Sequence, residues 1–112
     1  MVTDYIPDRG DILWIDFAPT KGHEQSGRRP AIVISRRVYN KNAELVLVCP
    51  ITSVSKRYPY EVRLIGAKIT GVVLSDQVRS IDWKARRAEF AERAPSEIID
   101  DVEAKLLTLI QS

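Results

Sequence analysis

The apolar residues of this 112-residue chain follow two different spacings, and this change most limits what the chain can fold into. Up to about residue 91 they come in short runs, many of them β-branched, that alternate with polar residues or are continuously apolar, which is typical of strands. From residue 95 onward they recur every three or four positions, which indicates one face of a helix. These helical positions are Ile98, Ile99, Val102, Leu106, Leu109 and Ile110. The pattern predicts a mainly β chain with a C-terminal helix.

The predicted strands lie between glycines, prolines and polar turns. Residues 11–17 alternate between two sets of side chains, and residues 60–64 alternate with period two, as a half-exposed strand does. Residues 30–35 and 45–50 are short apolar runs that suit strands buried on both faces. Asp76 and Gln77 form a bulge or a sharp corner between two further strands. The full set of predicted strands is 11–17, 30–35, 45–50, 60–64, 71–75, 78–81 and 86–91.

The predicted helix runs from Pro95 to Ile110. Proline suits the first helical position, and acidic residues in the opening turns complement the helix dipole. Five to seven short strands closed by one helix in about 110 residues predict a small, strongly bent barrel with the helix packed against it. We expect residues 1–112 to form a single domain.

The composition excludes several classes of site. One cysteine excludes a disulfide framework and a Cys-rich metal site, and one histidine excludes an HExxH helix and most zinc chemistry. We therefore expect no metal and no cofactor. No apolar run approaches the roughly 20 residues of a membrane span, and no signal-peptide pattern is visible at the start. These features predict a cytoplasmic protein that does not enter a membrane.

The net charge of +2 is unevenly distributed. Residues 21–41 carry six cations against one acid, or +5, whereas residues 94–112 carry −3. A basic body with an acidic tail favours a polyanion or an acidic partner that contacts the body. The alternative is ordinary solvated surface, with the acids of the tail serving the helix dipole.

Two polar segments are candidate sites. Residues 19–30 are longer than a hairpin loop needs and contain the only histidine and three cations. Within this segment Pro30 favours an extended backbone at Arg29, whose guanidinium can then bind a phosphate. The alternative for Arg29 is an ion pair with Asp16 or Asp76.

The second polar segment, residues 50–59, follows the third predicted strand. It offers two hydroxyls, two cations and, with Tyr60 just beyond it, two rings on which a base could stack. Hydroxyls at a strand end are also common turn formers. The residues that carry these groups are Thr52, Ser53, Lys56, Arg57, Tyr58 and Tyr60.

Several motifs occur together along the chain, in a fixed order. They are GDILWIDF (10–17), PTKGHEQ (19–25), GRRP (27–30), YN (39–40), CPIT (49–52), YPYEV (58–62) and GVVLSDQVRSIDW (71–83). In this order and spacing they closely resemble the MazF/PemK family, the toxins of bacterial type II toxin–antitoxin pairs.

The resemblance implies a small SH3-like barrel of the MazF/PemK (CcdB-like) type that forms a homodimer. It implies a sequence-specific, metal-independent endoribonuclease that cuts single-stranded RNA by attack of the 2′-hydroxyl. The products are a 2′,3′-cyclic phosphate and a 5′-hydroxyl, and the cleavage of mRNA inhibits translation and growth. The implied partner is a cognate acidic antitoxin that masks the site, with any DNA binding occurring only through the antitoxin complex.

The same resemblance implies four catalytic residues. Arg29 stabilises the phosphorane and can donate a proton, and Thr52 positions the phosphate or the 2′-oxygen, since a threonine hydroxyl is a poor base. Asp76 and His23 match positions that act as acid, base or orienting groups. In one branch of the family an arginine at the position of Leu74 takes part, so that version of the mechanism is incomplete in this chain.

We expect further residues to bind or shape the substrate. Arg79 has an alternative, structural role in a pair with Asp82. Trp14 is expected to belong to the barrel, and Trp83 to lie at a partner or dimer surface. The helix's apolar stripe is expected to face the core, with part of it available to a second subunit. The predicted substrate-binding residues are Glu24, Gln25, Arg28, Lys56, Gln77 and Arg79.

Two other functions remain open from the sequence. One is a toxin with the same barrel that binds a protein target, such as gyrase, without nuclease activity. The other is a barrel that only binds RNA or DNA. The GRRP loop and Thr52 favour the nuclease over both.

Overall fold

The structure is a computed structural model that describes residues 4–17 and 27–111. Its described part contains seven strands and two helices. In chain order they are β1 (Asp11–Asp16), β2 (Arg28–Val33), α1 (Arg37–Ala43), β3 (Val46–Thr52), β4 (Glu61–Ile65), β5 (Thr70–Leu74), β6 (Arg79–Ile81), β7 (Glu89–Arg93) and α2 (Ser96–Ile110).

The strands form one antiparallel, strongly bent sheet in the order β4-β5-β3-β2-β1-β7. Strand β3 is central: β2 lies on one side of it, and β6 and β5 pair in succession along the other. The chain turns between β5 and β6 at Ser75–Val78, where the Gln77 N–H donates to the Leu74 carbonyl at 3.1 Å. The corner predicted at Asp76 and Gln77 is therefore confirmed.

A carboxylate ties the two ends of this sheet together. Glu92 on β7 accepts the backbone N–H groups of Ala67, Lys68 and Ile69 at 2.9, 2.9 and 2.8 Å. Burial acts to raise the pKa of Glu92, but these three donors outweigh it and lower the pKa overall. Because the three donors belong to the turn between β4 and β5, the contact brings the β4 end of the sheet onto β7 and gives a half-barrel.

The core lies on both faces of the bent sheet, as the apolar runs predict. Successive β1 residues point to opposite faces, so Ile12 and Leu13 belong to two different buried clusters. Ile99 and Val102 of α2 cover the cluster that contains Ile12. Each fully buried side chain of this kind contributes roughly 1.5–3 kcal/mol to the free energy of folding. The mainly β fold with a C-terminal helix is confirmed.

Helix α2 begins one residue after the predicted Pro95 and ends at Ile110 as predicted. Its first half is anchored to the barrel, because the guanidinium of Arg9 pairs with Asp100 and Glu103 at 3.0 and 2.9 Å. Its last turn is different, since Ile110 is 70% exposed. No helix in residues 4–17 and 27–111 is both long and apolar enough to cross a membrane.

The structure differs from the sequence-based predictions in the start of one strand, in one additional helix and in the position of one tryptophan. Strand β7 begins at Glu89, three residues later than predicted, and helix α1 was not predicted. Trp83 does not lie at a partner surface: it is 8% exposed within this chain. Its indole N–H donates to the carbonyl of Asn40 at 3.0 Å, and this polar partner makes the burial of the ring stable.

Candidate active site

A cavity of about 310 Å³ opens where β2 begins, β3 ends and the β4–β5 turn meets them. It contains the predicted catalytic pair Arg29 and Thr52, and we call it the Arg29 cavity. Its described lining residues are Trp14, Arg29, Pro30, Ile51, Thr52, Ser53, Lys68, Ile69 and Thr70.

Strand pairing brings Arg29 and Thr52 together. The last pair of the β2–β3 ladder is Ala31 with Pro50, and Arg29 and Thr52 lie two residues beyond it, at the same end of the two strands. Thr52 pairs with Val72 of β5, so its backbone is fixed from that strand. On its other side Arg29 pairs with Ile15 of β1, so the backbone of Arg29 is fixed from β1 as well.

The hydroxyl of Thr52 has a defined orientation. Its Oγ1 accepts the backbone N–H of Val54 at 3.2 Å, and this hydrogen bond does not use the hydroxyl proton, which can still be donated to another acceptor. Strand β5 approaches this position very closely, since a Cβ on Gly71 would lie 2.5 Å from the Thr52 carbonyl oxygen. Only glycine permits this approach.

Trp14 and Lys68 are cavity residues that the sequence pattern did not place in the site. Trp14 lies on a barrel strand, as expected, but its ring is 36% exposed and forms part of the cavity wall. Ile12 is on the same face of β1 and is covered by Ile99 and Val102 of helix α2. The buried cluster that these residues form does not include Trp14. The alternation of β1 was the signal that put Trp14 on this face.

Arg28 pairs with Asp16. The Arg28 guanidinium contacts the Asp16 carboxylate at 2.7 Å and Glu89 at 3.3 Å, and it donates to the carbonyls of Trp14 and Arg87. It thus joins β1 to the segment before β7. These contacts give Arg28 a structural role, and its predicted contact with substrate stays a prediction.

A second depression, of about 270 Å³, contains Asp76, and we call it the Asp76 depression. The Tyr58 hydroxyl donates to Asp76 Oδ2 at 2.7 Å, while Oδ1 is buried with no hydrogen-bond partner among the described residues. This hydrogen bond, with some burial and the charge of Asp76, raises the pKa of Tyr58. The described lining residues are Lys56, Tyr58, Glu61, Leu74, Asp76 and Gln77.

Glu61 shapes the loop that forms this depression. Its carboxylate accepts the Lys56 N–H at 2.9 Å and the Ser55 hydroxyl at 2.7 Å. These hydrogen bonds, led by that of Lys56, lower the pKa of Glu61. Lys56 and Gln77, both predicted to bind substrate, therefore lie with Asp76 and not in the Arg29 cavity.

The only cysteine is not a nucleophile. Burial, with a smaller effect of the Asp76 charge, raises the pKa of Cys49 to about 12, so its thiol is protonated at neutral pH. Within residues 4–17 and 27–111, no group of three or more histidines, cysteines or carboxylates is placed to hold a metal ion.

The remaining predicted residues have different outcomes. Arg79 lies over the Phe17 ring, 5.0 Å from its centroid, and not against Asp82, whose carboxylate accepts the N–H groups of Lys84 and Ala85. The alternative pairing of Arg79 with Asp82 is therefore wrong. Three predicted site residues lie outside the described part of the chain, namely His23, Glu24 and Gln25.

Known proteins similar to this chain match it over nearly its whole length. A family model of PemK-like, MazF-like toxins of type II toxin–antitoxin systems matches residues 8–110. Endoribonuclease toxin MazF of Escherichia coli (strain K12) is 47% identical over 110 residues, covering 98% of this chain and 99% of the relative. Endoribonuclease PemK of Escherichia coli is 37% identical and covers 92% of this chain and 81% of the relative. The crystal structure of MazE-MazF (Form-II) from Deinococcus radiodurans matches with a TM-score of 0.90 and 47% identity, covering 97% and 100% of the two chains.

Proposed function

The chain belongs to the family of PemK-like, MazF-like toxins of type II toxin–antitoxin systems, and we propose that it cleaves single-stranded RNA in the Arg29 cavity. Its relatives at 47% and 37% identity are named endoribonucleases, and the chain is an endoribonuclease toxin. This favours the nuclease over a same-fold toxin that binds a protein target and over a barrel that only binds nucleic acid.

The proposed reaction uses a nucleophile that the substrate itself supplies. The 2′-oxygen forms a bond to the adjacent phosphorus, and the bond from phosphorus to the 5′-oxygen breaks. The 2′-hydroxyl loses a proton to a base, and the leaving 5′-oxygen gains one from an acid. The products are a 2′,3′-cyclic phosphate and a 5′-hydroxyl, with no change in oxidation state.

Arg29 supplies the cation that this reaction needs. Negative charge builds up on the phosphorane oxygens in the transition state, and a guanidinium can contact two of them at once. The observation that carries the proposal is that Arg29 and Thr52 line one cavity from the adjoining ends of β2 and β3. Groups held by strand ladders need little rearrangement when substrate binds.

Thr52 acts in this proposal as a hydrogen-bond donor to the phosphate. Its Oγ1 already accepts the Val54 N–H, so the hydroxyl proton is the group left to contact substrate. Asp76 orients the loop through Tyr58, because the two are hydrogen-bonded in the neighbouring depression. His23 is the candidate for proton transfer, as the one imidazole of the chain.

We extend the proposal to the partners of the chain. An acidic segment of a cognate antitoxin covers the basic region 21–41, whose charge is +5. The crystal structure of MazE-MazF from Deinococcus radiodurans supports a partner of this kind. We further propose a homodimer in the cytoplasm that contacts DNA only through the antitoxin complex.

Mapping the ends of cleaved RNA tests the proposal. Purified protein and Arg29→Ala are incubated with a long single-stranded RNA, and the cleavage sites and end groups are determined. We expect the wild type to leave cyclic phosphates and Arg29→Ala to cleave about 100- to 1,000-fold more slowly. The control is Arg63→Ala, which should cleave normally. Arg63 is an exposed arginine on β4 that lines neither the Arg29 cavity nor the Asp76 depression.

Two results would overturn this assignment. Equal cleavage by Arg29→Ala and wild type would remove Arg29 from the chemistry. Cleavage of an RNA with a single 2′-deoxyribose at the scissile nucleotide would exclude attack by the 2′-hydroxyl. If that RNA binds but stays intact, the proposed nucleophile is supported.

A further inference from the structure

Lys68 is a second cation of the Arg29 cavity. It lies in the turn between β4 and β5 and lines the cavity together with Trp14, Arg29 and Thr52. Among the described residues its ammonium forms no ion pair within 4.0 Å, and its charge is close enough to Glu92 to help lower the pKa of that carboxyl. Lys68 thus places a positive charge in the wall of a polar cavity, where an anionic ligand can reach it.

The turn that carries Lys68 is firmly built. The N–H of Lys68 and those of its two neighbours, Ala67 and Ile69, donate to the carboxylate of Glu92. The Gly66 N–H donates to the Ile69 carbonyl at 2.9 Å, and the Ile69 side chain is buried in the core. The backbone of Lys68 is therefore held from both directions, which limits where its ammonium can lie.

We propose that Lys68 binds a backbone phosphate of the RNA next to the scissile one, and that Glu92 is a positioning residue for Lys68. This proposal rests on the function proposed above. An ammonium is a compact point charge that suits a phosphate needing neutralisation, whereas the guanidinium of Arg29 suits the reacting phosphorane. Positively charged grooves of this kind follow the backbone of single-stranded nucleic acids.

The role predicts a particular kinetic signature. A phosphate beside the reacting one carries the same charge in the ground state and in the transition state. Its contact with Lys68 therefore contributes equally to both, and its loss raises KM but leaves kcat unchanged. Loss of one phosphate contact also reduces the slope of log K against log salt concentration by about 0.7 for a single strand.

The experiment compares Lys68→Ala and Lys68→Arg with the wild type. Binding is measured with an RNA that carries 2′-deoxyribose at the scissile nucleotide, from about 50 to 200 mM salt. Single-turnover cleavage is measured with the all-ribose RNA at saturating enzyme. Lys84→Ala is the matched control, since Lys84 is an exposed lysine that lies outside the Arg29 cavity, the Asp76 depression and the basic region 21–41.

We expect Lys68→Ala to bind about 3- to 10-fold more weakly at low salt and to lower the salt slope by about 0.7. Its saturated cleavage rate should stay within about twofold of the wild type, and Lys68→Arg should restore binding. If Lys68→Ala matches Lys84→Ala in binding and slope, or slows saturated cleavage without weakening binding, the proposal is wrong. If Lys68→Ala binds normally while Arg29→Ala loses cleavage, only the phosphate subsite fails; if Arg29→Ala cleaves normally, the proposed function fails.

The role of Glu92 is tested by a double-mutant cycle. If Glu92 acts by placing Lys68, Glu92→Ala lowers the salt slope by itself, and adding Lys68→Ala causes no further loss of binding. A purely structural role for Glu92 predicts that Glu92→Ala leaves the salt slope unchanged and that the binding losses of Glu92→Ala and Lys68→Ala add up. Either result would contradict the positioning role.

Discussion

The Arg29 cavity and the Asp76 depression are built in different ways. In the cavity, the predicted catalytic residues Arg29 and Thr52 stand on neighbouring strands, and the β1–β2 and β3–β5 ladders fix their backbones. In the depression, side-chain hydrogen bonds hold a loop in place, from Tyr58 to Asp76 and from Ser55 to Glu61. The sequence assigns residues of both the Arg29 cavity and the Asp76 depression to a single substrate site.

This difference indicates a division of labour. Backbone ladders hold a group in place whatever its protonation state, and chemistry on a phosphorane needs that constancy. Side-chain hydrogen bonds at an exposed loop are weaker and change with the ligand, which suits binding of different bases. The Arg29 cavity, built on β-strands, is therefore the better place for bond breaking. The Asp76 depression, built on a loop, is the better place for contacts with other nucleotides of the RNA.

The largest effect that separates the two regions should come from Thr52→Ala compared with Asp76→Asn. Thr52→Ala removes a hydrogen-bond donor to the charged transition state, so single-turnover cleavage should fall about 100-fold. Asp76→Asn keeps an oxygen that can accept the Tyr58 hydroxyl, so its rate should stay within about threefold of wild type. Thr52→Ser, which keeps the hydroxyl, is the control. A loss as large for Asp76→Asn as for Thr52→Ala would make Asp76 part of the chemistry.

An intermediate effect should come from Glu92, which holds one wall of the Arg29 cavity. Its folded pKa is lowered, so its stabilising contribution is present above the unfolded value near 4.5 and is lost as pH falls through the folded value. Glu92→Gln should reduce the free energy of unfolding by about 1 kcal/mol at pH 7 and by less in acid, as measured by urea denaturation. Glu89→Gln, on the same strand, removes only an exposed ion pair and should change stability less. An equal loss for Glu92→Gln at pH 7 and pH 3 would show that the carboxylate charge is not what holds the turn.

The sequence predicted the elements whose apolar pattern is regular. Strands β1 to β6 and helix α2 are visible from their spacing alone. Helix α1 is not, because its seven residues contain only one fully buried side chain, and that one is the polar Asn40. Strand β7 starts later than predicted because the residues before it form turns, in which the Arg86 N–H donates to the Asp82 carbonyl at 2.9 Å and Arg87 has a positive φ.

The sequence predicted those candidate site residues whose position depends on their immediate sequence neighbours. It did not predict those whose position depends on residues far away in the sequence. Arg29 was predicted from Pro30 and the family resemblance, and the pairing of β2 with β3 brings it into one cavity with Thr52. Which of two adjacent arginines pairs with Asp16 depends on the β1–β2 register, which a sequence pattern does not specify. Lys68 was missed because a glutamate 24 residues further along the chain holds its turn.

The smallest effect should come from the hydrogen bond that joins Tyr58 to Asp76. A phenolate beside a carboxylate is disfavoured, and the hydrogen bond stabilises the neutral phenol, so the pKa of Tyr58 lies above its ordinary value near 10. In an ultraviolet titration of the tyrosines, Asp76→Asn should therefore make one tyrosine ionise at lower pH, because the carboxylate charge is gone. Tyr58→Phe, the control, should remove that same tyrosine from the titration. Since the contact lies outside the Arg29 cavity, Tyr58→Phe should keep cleavage within about twofold of wild type. A large loss of cleavage would show that the loop must be held in place for chemistry, and the separation of the two regions would then be wrong.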